Sequence, residues 1–311
     1  MNIFMDITTL VFCFFVIYKG AGWLVDSSVK IAKRFGVSEL IIGLTIVAFG
    51  TSAPEFSVTI SAAIRDAGNI SVGNIIGSNI FNMGIILGGA AIIRNLKTSD
   101  SIVHRDGFFL LIGSVVVVGM LWDLHLTRME GMILFSLLIV YLGNLYSCKD
   151  CNHEVEIDSE TTKLHIKDIW LLVVGLGMLL VGSHFVVTSA INIARALGIS
   201  EWIIGATIIA AGTSMPEIAT SIVAAFRGHN GISVGNLIGS DIFNVFGALG
   251  LAAFIREMPL EVSARPSLII YPIMVGIALF FLRTDWELSR KEGFVLVMFG
   301  LARWTYSLLI Q

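Results

Sequence analysis

Charge is scarce in this sequence: 14% of its 311 residues are charged and 56% are hydrophobic, where a soluble domain carries about 25% charged residues. The scarcity is uneven. Residues 107–122, 131–148, 169–194, 202–216, 266–282 and 293–302 contain no Asp, Glu, Lys or Arg at all. A basic stripe is also missing. Lys and Arg number 20 against 23 Asp and Glu, which excludes the electrostatic footprint of a nucleic-acid binder. The alternating segments of about 10 residues that build a membrane barrel are absent. Met1 to Asp6 lacks a basic region and no small-residue cleavage site follows, so this stretch reads as the start of a span and not as a signal peptide. Cysteine is rare, with three residues. Cys13 is expected against lipid or packed. Cys148 and Cys151, with His153, fall short of the four ligands of a zinc site and read as a reduced pair. Nucleophile-elbow, zinc-protease and Walker patterns are all missing, so the chain reads as no enzyme and calls for no cofactor.

What is present is a set of long apolar runs. About 20 mainly apolar residues cross a bilayer as a helix, and backbone in lipid must satisfy its own hydrogen bonds. The fold class expected is therefore all-α: a polytopic membrane protein of ten transmembrane helices, at about 5–34, 38–65, 70–93, 106–122, 127–147, 167–196, 200–226, 232–255, 266–282 and 290–310.

The sequence repeats itself at a constant offset of 162 residues. GVSELIIGLTIVAFGTSAPE at 36–55 returns as GISEWIIGATIIAAGTSMPE at 198–217, with fourteen of twenty positions identical. ISVGNIIGSNIFN at 70–82 returns as ISVGNLIGSDIFN at 232–244, with eleven of thirteen identical. Five spans per copy is an odd number, so the copies enter the membrane from opposite sides, the inverted construction of many secondary transporters. Residues 1–147 form the first repeat, 148–166 a linker loop and 167–311 the second repeat. Thirteen Lys and Arg fall in the connections after odd-numbered spans and five on the other side. By the positive-inside rule, the 148–166 loop is cytoplasmic and both termini are extracytoplasmic in the cell membrane. The acidic residues of that loop, Asp150, Glu154, Glu156, Asp158 and Glu160, lack the spacing of a calcium loop and read as a solvated run.

An ionisable side chain in the middle of a span is a functional hypothesis by default. Glu55 and Glu217 are such residues, each ending the same Gly-Thr-Ser-x-Pro-Glu signature. Pro54 and Pro216 would disturb the helix and free the carbonyls of Gly50 and Gly212. Carboxylate, carbonyls and hydroxyls together make an all-oxygen site, suited to Ca2+ and to Na+. Ser78 and Asn82, and again Ser240 and Asn244, lie four apart on one helix face. One turn before them stand Gly73 and Gly77, and Gly235 and Gly239, at a spacing that lets helices approach closely. Glu39 and Glu201 are expected at helix starts, and Lys19 is expected to snorkel.

These paired segments resemble the alpha repeats of the cation/calcium exchanger superfamily, in particular archaeal and bacterial sodium/calcium exchangers. The resemblance implies that Thr51, Glu55, Thr213 and Glu217 surround Ca2+, the threonines through their carbonyls. It implies that Ala48 and Ala210 offer carbonyls to Na+, that Ser52, Ser78, Ser214 and Ser240 offer hydroxyls, and that Asn82 and Asn244 line the centre. It further implies that the first and sixth helices slide as a gate. The function expected is Ca2+/Na+ antiport by alternating access, by a protein acting as a monomer in the lipid bilayer. Proton/calcium exchange and a Ca2+ channel are the alternatives. One departure stands out. Some members carry Asp where this chain has Asn244, and here Asp241 replaces the Asn79 of the first copy. At about 100° per residue, Asp241 is turned away from Ser240 and about 60° from Asn244. It is expected to be mainly a structural hydrogen-bonding group, and it leaves room for H+ as a transported ion.

Overall fold

The computed structural model describes residues 3–147, 166–199, 204, 207–208 and 210–310. The Cys148–Cys151 pair, His153, the acidic loop and Glu201 lie outside the described residues. Helices occupy nearly everything else. The first half contains α1 (Ile3–Phe35), α2 (Glu39–Thr51), α3 (Ala53–Ile64), α4 (Gly68–Ile93), α5 (Ser101–Asp123) and α6 (Arg128–Ser147). The second contains α7 (Ile166–Ala196), the single turn α8 (Ala210–Thr213), α9 (Met215–Arg227), α10 (Asn230–Ile255), α11 (Val262–Trp286) and α12 (Arg290–Ile310). Among the described residues, seven of these helices are long and apolar enough to cross a membrane, or eight if the bent pair α2–α3 is one span.

The 162-residue offset recurs in local chemistry. α1 ends at Gly36 and α7 at Gly198, with φ of 65° and 75°. In both, the next amide reaches back across the glycine, Val37 N to Ala32 O and Ile199 N to Ala194 O, at 3.0 Å each. That left-handed closure satisfies carbonyls at the helix end and is cheap only for glycine. α6 and α12 both begin with a capping box. Glu130 accepts from the amide and hydroxyl of Thr127, and Glu292 from those of Ser289, at 2.7–2.8 Å.

Two short strand pairs tie the halves together. β1 (Leu96–Lys97) pairs antiparallel with β4 (Glu287–Leu288), and β2 (His125–Leu126) with β3 (Met258–Pro259). Each pair joins connections that the Lys and Arg distribution assigns to the same side of the membrane. The contacts between helix ends sort the same way. Lys30 meets Asp168 at 2.7 Å and His229 meets Glu39 at 3.0 Å on one side, while Asn192 donates to Asp6 at 3.0 Å and Arg256 pairs with Asp66 on the other. Glu39 is thus held by a contact with the His229 ring, and the cap of α2 is Ser38. Lys19 extends outward over the ring of Phe15, 5.6 Å from its centroid, and Cys13 is packed inside.

Polarity is inverted relative to a soluble fold. Large apolar side chains such as Phe12, Phe108, Ile139 and Phe280 are exposed, while Thr51, Ser52, Glu55, Asn82, Ser214, Glu217, Asp241 and Asn244 are wholly buried. The centre is built from α2–α4 and α9–α10, and α1 and α7 lie against each other, with a Cβ placed at Gly175 only 2.7 Å from Gly20 O.

Candidate functional site

The two signature segments form broken helices. α2 ends at Thr51, Ser52 takes a turn conformation (φ −78°, ψ 3°), and α3 restarts at Ala53, bent by 49° from α2. Ser214 does the same before α9 (φ −84°, ψ 10°). Pro54 and Pro216 therefore sit in the first turn of a new helix, where a missing N–H needs no partner. The expected clash with the preceding turn is relieved by ending the first helix altogether. The carbonyl of Ala48, at this break, accepts from Ser52 N at 3.0 Å and from the Thr51 hydroxyl at 3.3 Å.

The breaks bring Glu55 and Glu217 to the first turns of α3 and α9, and the halves grip each other crosswise. Ser52 donates to Glu217 Oε1 at 3.1 Å, and Ser214 donates to Glu55 Oε1 at 3.0 Å. Ser240 adds a longer bond to Glu217 Oε1, 3.4 Å. Neither carboxylate has a basic partner among the described residues. Each keeps Oε2 without any hydrogen bond although both side chains are wholly buried. Most buried polar groups do find a partner, so the unbonded acceptors of the two motifs call for an explanation: these two oxygens, with Asn82 Oδ1 and Asn244 Oδ1, which also have no partner among the described residues.

The asparagines are crossed in the same way. Asn82 donates to Asp241 Oδ1 at 2.9 Å, and Asn244 donates to Asn79 Oδ1 at 3.0 Å. Asp241 and Asn79 are equivalents at the 162 offset, so one bond is repeated with a carboxylate in one copy and an amide in the other. Asn79 also donates to Asp241 O at 3.2 Å and to the Tyr271 hydroxyl at 2.9 Å. Asp241 is thus a structural hydrogen-bonding group, as expected, and also a third buried carboxylate touching a central asparagine. Its Oδ2 has no partner. Both asparagines fall in π-helical turns, Asn82–Ile86 and Phe243–Leu249, an irregularity frequent at functional sites.

Behind the carboxylates lies a supporting layer that the motif reading missed. Ser71 donates to Thr59 O and Ser233 to Ser221 O, both at 2.9 Å. Asn74 donates to Thr59 Oγ1 and Asn236 to Ser221 Oγ, both at 3.0 Å. The signal was available, since these residues also recur at the offset, within or beside the repeated segments.

Among the described residues the two copies are not equivalent. Asn236 Oδ1 accepts the Thr51 hydroxyl at 3.0 Å, whereas the equivalent hydroxyl of Thr213 has no partner among the described residues. A Cβ at Gly235 would lie 2.9 Å from Leu40 O, and one at Gly239 would lie 2.6 Å from Leu44 O, the close approach expected of that pair. At Gly73 and Gly77 a Cβ would meet no described residue within 4 Å, and the segment equivalent to α2 at the offset lies mostly outside the described residues. These two glycines, Asn74 and Ser78 line a cavity of about 770 Å3 that extends to Asn69 and Glu261 at the helix ends. Ser78 makes no hydrogen bond to Glu55 among the described residues. Thr51, Glu55, Ser52, Ser214, Glu217, Ser240, Asn82 and Asn244 are brought together by the bonds above, and Thr213 and Ala210 lie in the turn α8 beside them.

Comparison with known proteins agrees with this geometry. The family described as Sodium/calcium exchanger protein matches residues 5–146 and 167–302. The chain is 33% identical to the sodium/calcium exchanger MaX1 of Methanosarcina acetivorans, over 91% of this chain and 93% of that protein. It is 33% identical to the inner membrane protein YrbG of Escherichia coli, over 89% of this chain and 87% of that one. The fold superimposes on a solved structure of the sodium-calcium exchanger NCX_Mj, soaked with Na+ and Sr2+, with a TM-score of 0.85 and 30% identity, covering 97% and 98% of the two chains. With its apolar helices and these matches, the chain is a multi-pass membrane protein that belongs to the sodium/calcium exchanger family.

Proposed function

We infer that the protein is a secondary active antiporter that exchanges Ca2+ for Na+ at the site between Glu55 and Glu217. One observation carries the reading. Each glutamate is wholly buried at a helix break, has no basic partner among the described residues and keeps one oxygen unbonded. A buried charge without a counter-charge is strongly destabilising, and two carboxylates with neutral oxygens around them suit one divalent hard cation, which takes 6–8 oxygen ligands. Glu55 and Glu217 supply the charge. Thr51 and Thr213 supply carbonyls, and Asn82 and Asn244 the central amide oxygens. Ser52, Ser78, Ser214 and Ser240, with the carbonyls of Ala48 and Ala210, serve Na+.

Alternating access is part of this reading, and the duplicated broken helices at Ser52 and Ser214 support it. Movement of the two broken helices in turn would open the site first to one side and then to the other. This reading takes ten spans as two inverted halves of five, with β1, β4 and the linker cytoplasmic and with β2, β3 and both termini extracytoplasmic. The recurrence of caps, strands and hydrogen bonds at one offset supports the duplication. The protein acts as a monomer in this scheme. Asp241 favours a second reading, exchange of Ca2+ for H+, because it adds a third carboxylate to the network.

The deciding experiment is uptake of radioactive Ca2+ into proteoliposomes, driven separately by a Na+ gradient and by a pH gradient. Uptake with Na+ alone is expected. Uptake with the pH gradient alone selects the proton reading, and flux at channel rates in the absence of a counter-ion gradient excludes antiport.

A further inference from the structure

The two halves treat one position differently, away from the carboxylates. In the first half Arg105, on α5, holds Asp106 through a fork, Nε to Oδ1 at 2.8 Å and Nη2 to Oδ2 at 2.9 Å. Tyr141, on α6, donates to the same Oδ1 at 3.0 Å. Asp106 is wholly buried. At the 162 offset Arg105 becomes Ser267, Asp106 becomes Leu268 and Tyr141 becomes Arg303. The second half has moved the cation from one helix to the other and lost the acid. Arg303 donates to Ser267 Oγ at 2.6 Å and has no carboxylate partner among the described residues. It is only partly exposed, within α12. The first half buries an Arg–Asp–Tyr cluster where the second has the cavity, and Arg303, Ser267 and Trp304 line that cavity.

The cavity changes character along its length. Towards the helix ends its wall carries Asn69, Ser263 and Glu261. Deeper along α4 it is formed by Phe81 and Ile85, and Trp304 packs edge-on to Phe81 with centroids 5.5 Å apart. Arg303 lies seven residues from the end of α12, about 10 Å at 1.5 Å per residue, and so between the polar mouth and the apolar depth. An arginine fork matches phosphate geometry with two parallel bonds, and basic pockets between membrane helices hold lipid head groups. We propose that the cavity beside α4 binds one phospholipid of the surrounding leaflet, with its phosphate on Arg303 and Ser267 and an acyl chain along Phe81, Ile85 and Trp304. The phosphate takes the place that Asp106 holds in the other half. Glu261 at the mouth disfavours a head group with further negative charge and favours one bearing an ammonium. The cavity also reaches Ser78 of the proposed ion site, and the two readings are distinguished by the test, which reads bound lipid and not ion flux.

The test is native mass spectrometry of the purified full chain, titrated with phosphatidylethanolamine or phosphatidylglycerol. Wild-type protein is expected to retain one phosphatidylethanolamine in preference to phosphatidylglycerol. Arg303→Gln should lower that retention at least tenfold, and Arg303→Lys should fall between, since it keeps the charge and loses the fork. Glu261→Gln should narrow the preference between the two lipids. Arg256→Gln, which removes a cation from the same side outside the cavity, should change nothing. Gel filtration of each variant verifies folding, and the lysine variant decides the matter if the glutamine variant aggregates. Retention unaffected by either substitution at Arg303 would overturn the proposal. So would an equal loss in Arg256→Gln. Displacement of the lipid by millimolar inorganic phosphate would assign Arg303 to a free anion and overturn the lipid as occupant.

Discussion

The hydroxyl of Thr51 meets Asn236 Oδ1 at 3.0 Å, and the equivalent hydroxyl, on Thr213, meets no hydrogen-bond partner among the described residues. Thr51 and Thr213 are the same residue type, as are Asn74 and Asn236, so residue identity does not account for the difference. On the Thr51 side α2 is packed onto α10 at Gly235 and Gly239.

Glycine substitutions should read out that difference. Gly77→Ala places its methyl where no described residue lies within 4 Å, so it should leave thermal stability within about 0.5 kcal/mol of wild type. Gly239→Ala drives a methyl to 2.6 Å from Leu44 O and 2.7 Å from Ala48 Cβ, and overpacking of that kind costs about 1–3 kcal/mol. Both should slow Ca2+ uptake, because each copy must adopt the packed arrangement in one half of the cycle. Melting curves and uptake rates measured together make the check. Normal transport by Gly77→Ala would show that α4 is never covered.

Neutralising either central carboxylate should abolish exchange. Glu55→Gln and Glu217→Gln each leave one negative charge facing a divalent ion in a dry site, a penalty of several kcal/mol. Both variants should still fold, because Ser214 and Ser52 can donate to the remaining amide oxygen as they do to the carboxylate. Uptake in proteoliposomes, with gel filtration as the control for folding, measures both. Near-normal exchange by either variant removes the glutamates from the site.

Protons should inhibit transport and Ca2+ should relieve the inhibition. Carboxylate ligands bind cations only when deprotonated, so acid pH lowers Ca2+ uptake and rising Ca2+ restores it if both compete for the glutamates. The pair titrates as a unit. Na+-driven uptake across pH, at several Ca2+ concentrations, gives the answer. Inhibition that persists at saturating Ca2+ and disappears in Asp241→Asn would place the protons on Asp241 instead.

The sidedness is directly measurable. Single cysteines at Glu261 and Glu287, in a background without Cys13, Cys148 and Cys151, should label oppositely. Glu261→Cys should react with an impermeant thiol reagent in intact cells, and Glu287→Cys only after the membrane is opened. The reverse pattern would invert the topology drawn from Lys and Arg.

Much of this was legible in the residues alone. The offset of 162 identified the two glutamates, and their position within apolar runs made them the natural centre. Helix ends came within a few residues because Gly36, Gly198, Thr127 and Ser289 mark them chemically. Pairing between the halves was not legible. Equivalence at an offset says that Asn82 resembles Asn244, but not that each bonds to the other copy's residue 79 or 241. Those contacts depend on how two distant segments cross, which no local pattern records. The glycine spacing was legible at Gly235 and Gly239, where α2 approaches closely.

The strand pairs have a mechanical consequence. β1–β4 and β2–β3 fasten the connection beyond α4 to that beyond α11, and the connection beyond α5 to that beyond α10, one fastening on each side of the molecule. A body bolted at top and bottom cannot swing open along its seam like a clamshell. Displacement is then left to parts outside the fastenings: the long pair α1 and α7, and the jointed segments interrupted at Ser52 and Ser214. In the proposed exchange cycle this frame is the fixed part and the jointed segments are the levers, with their joints at the proposed ion site.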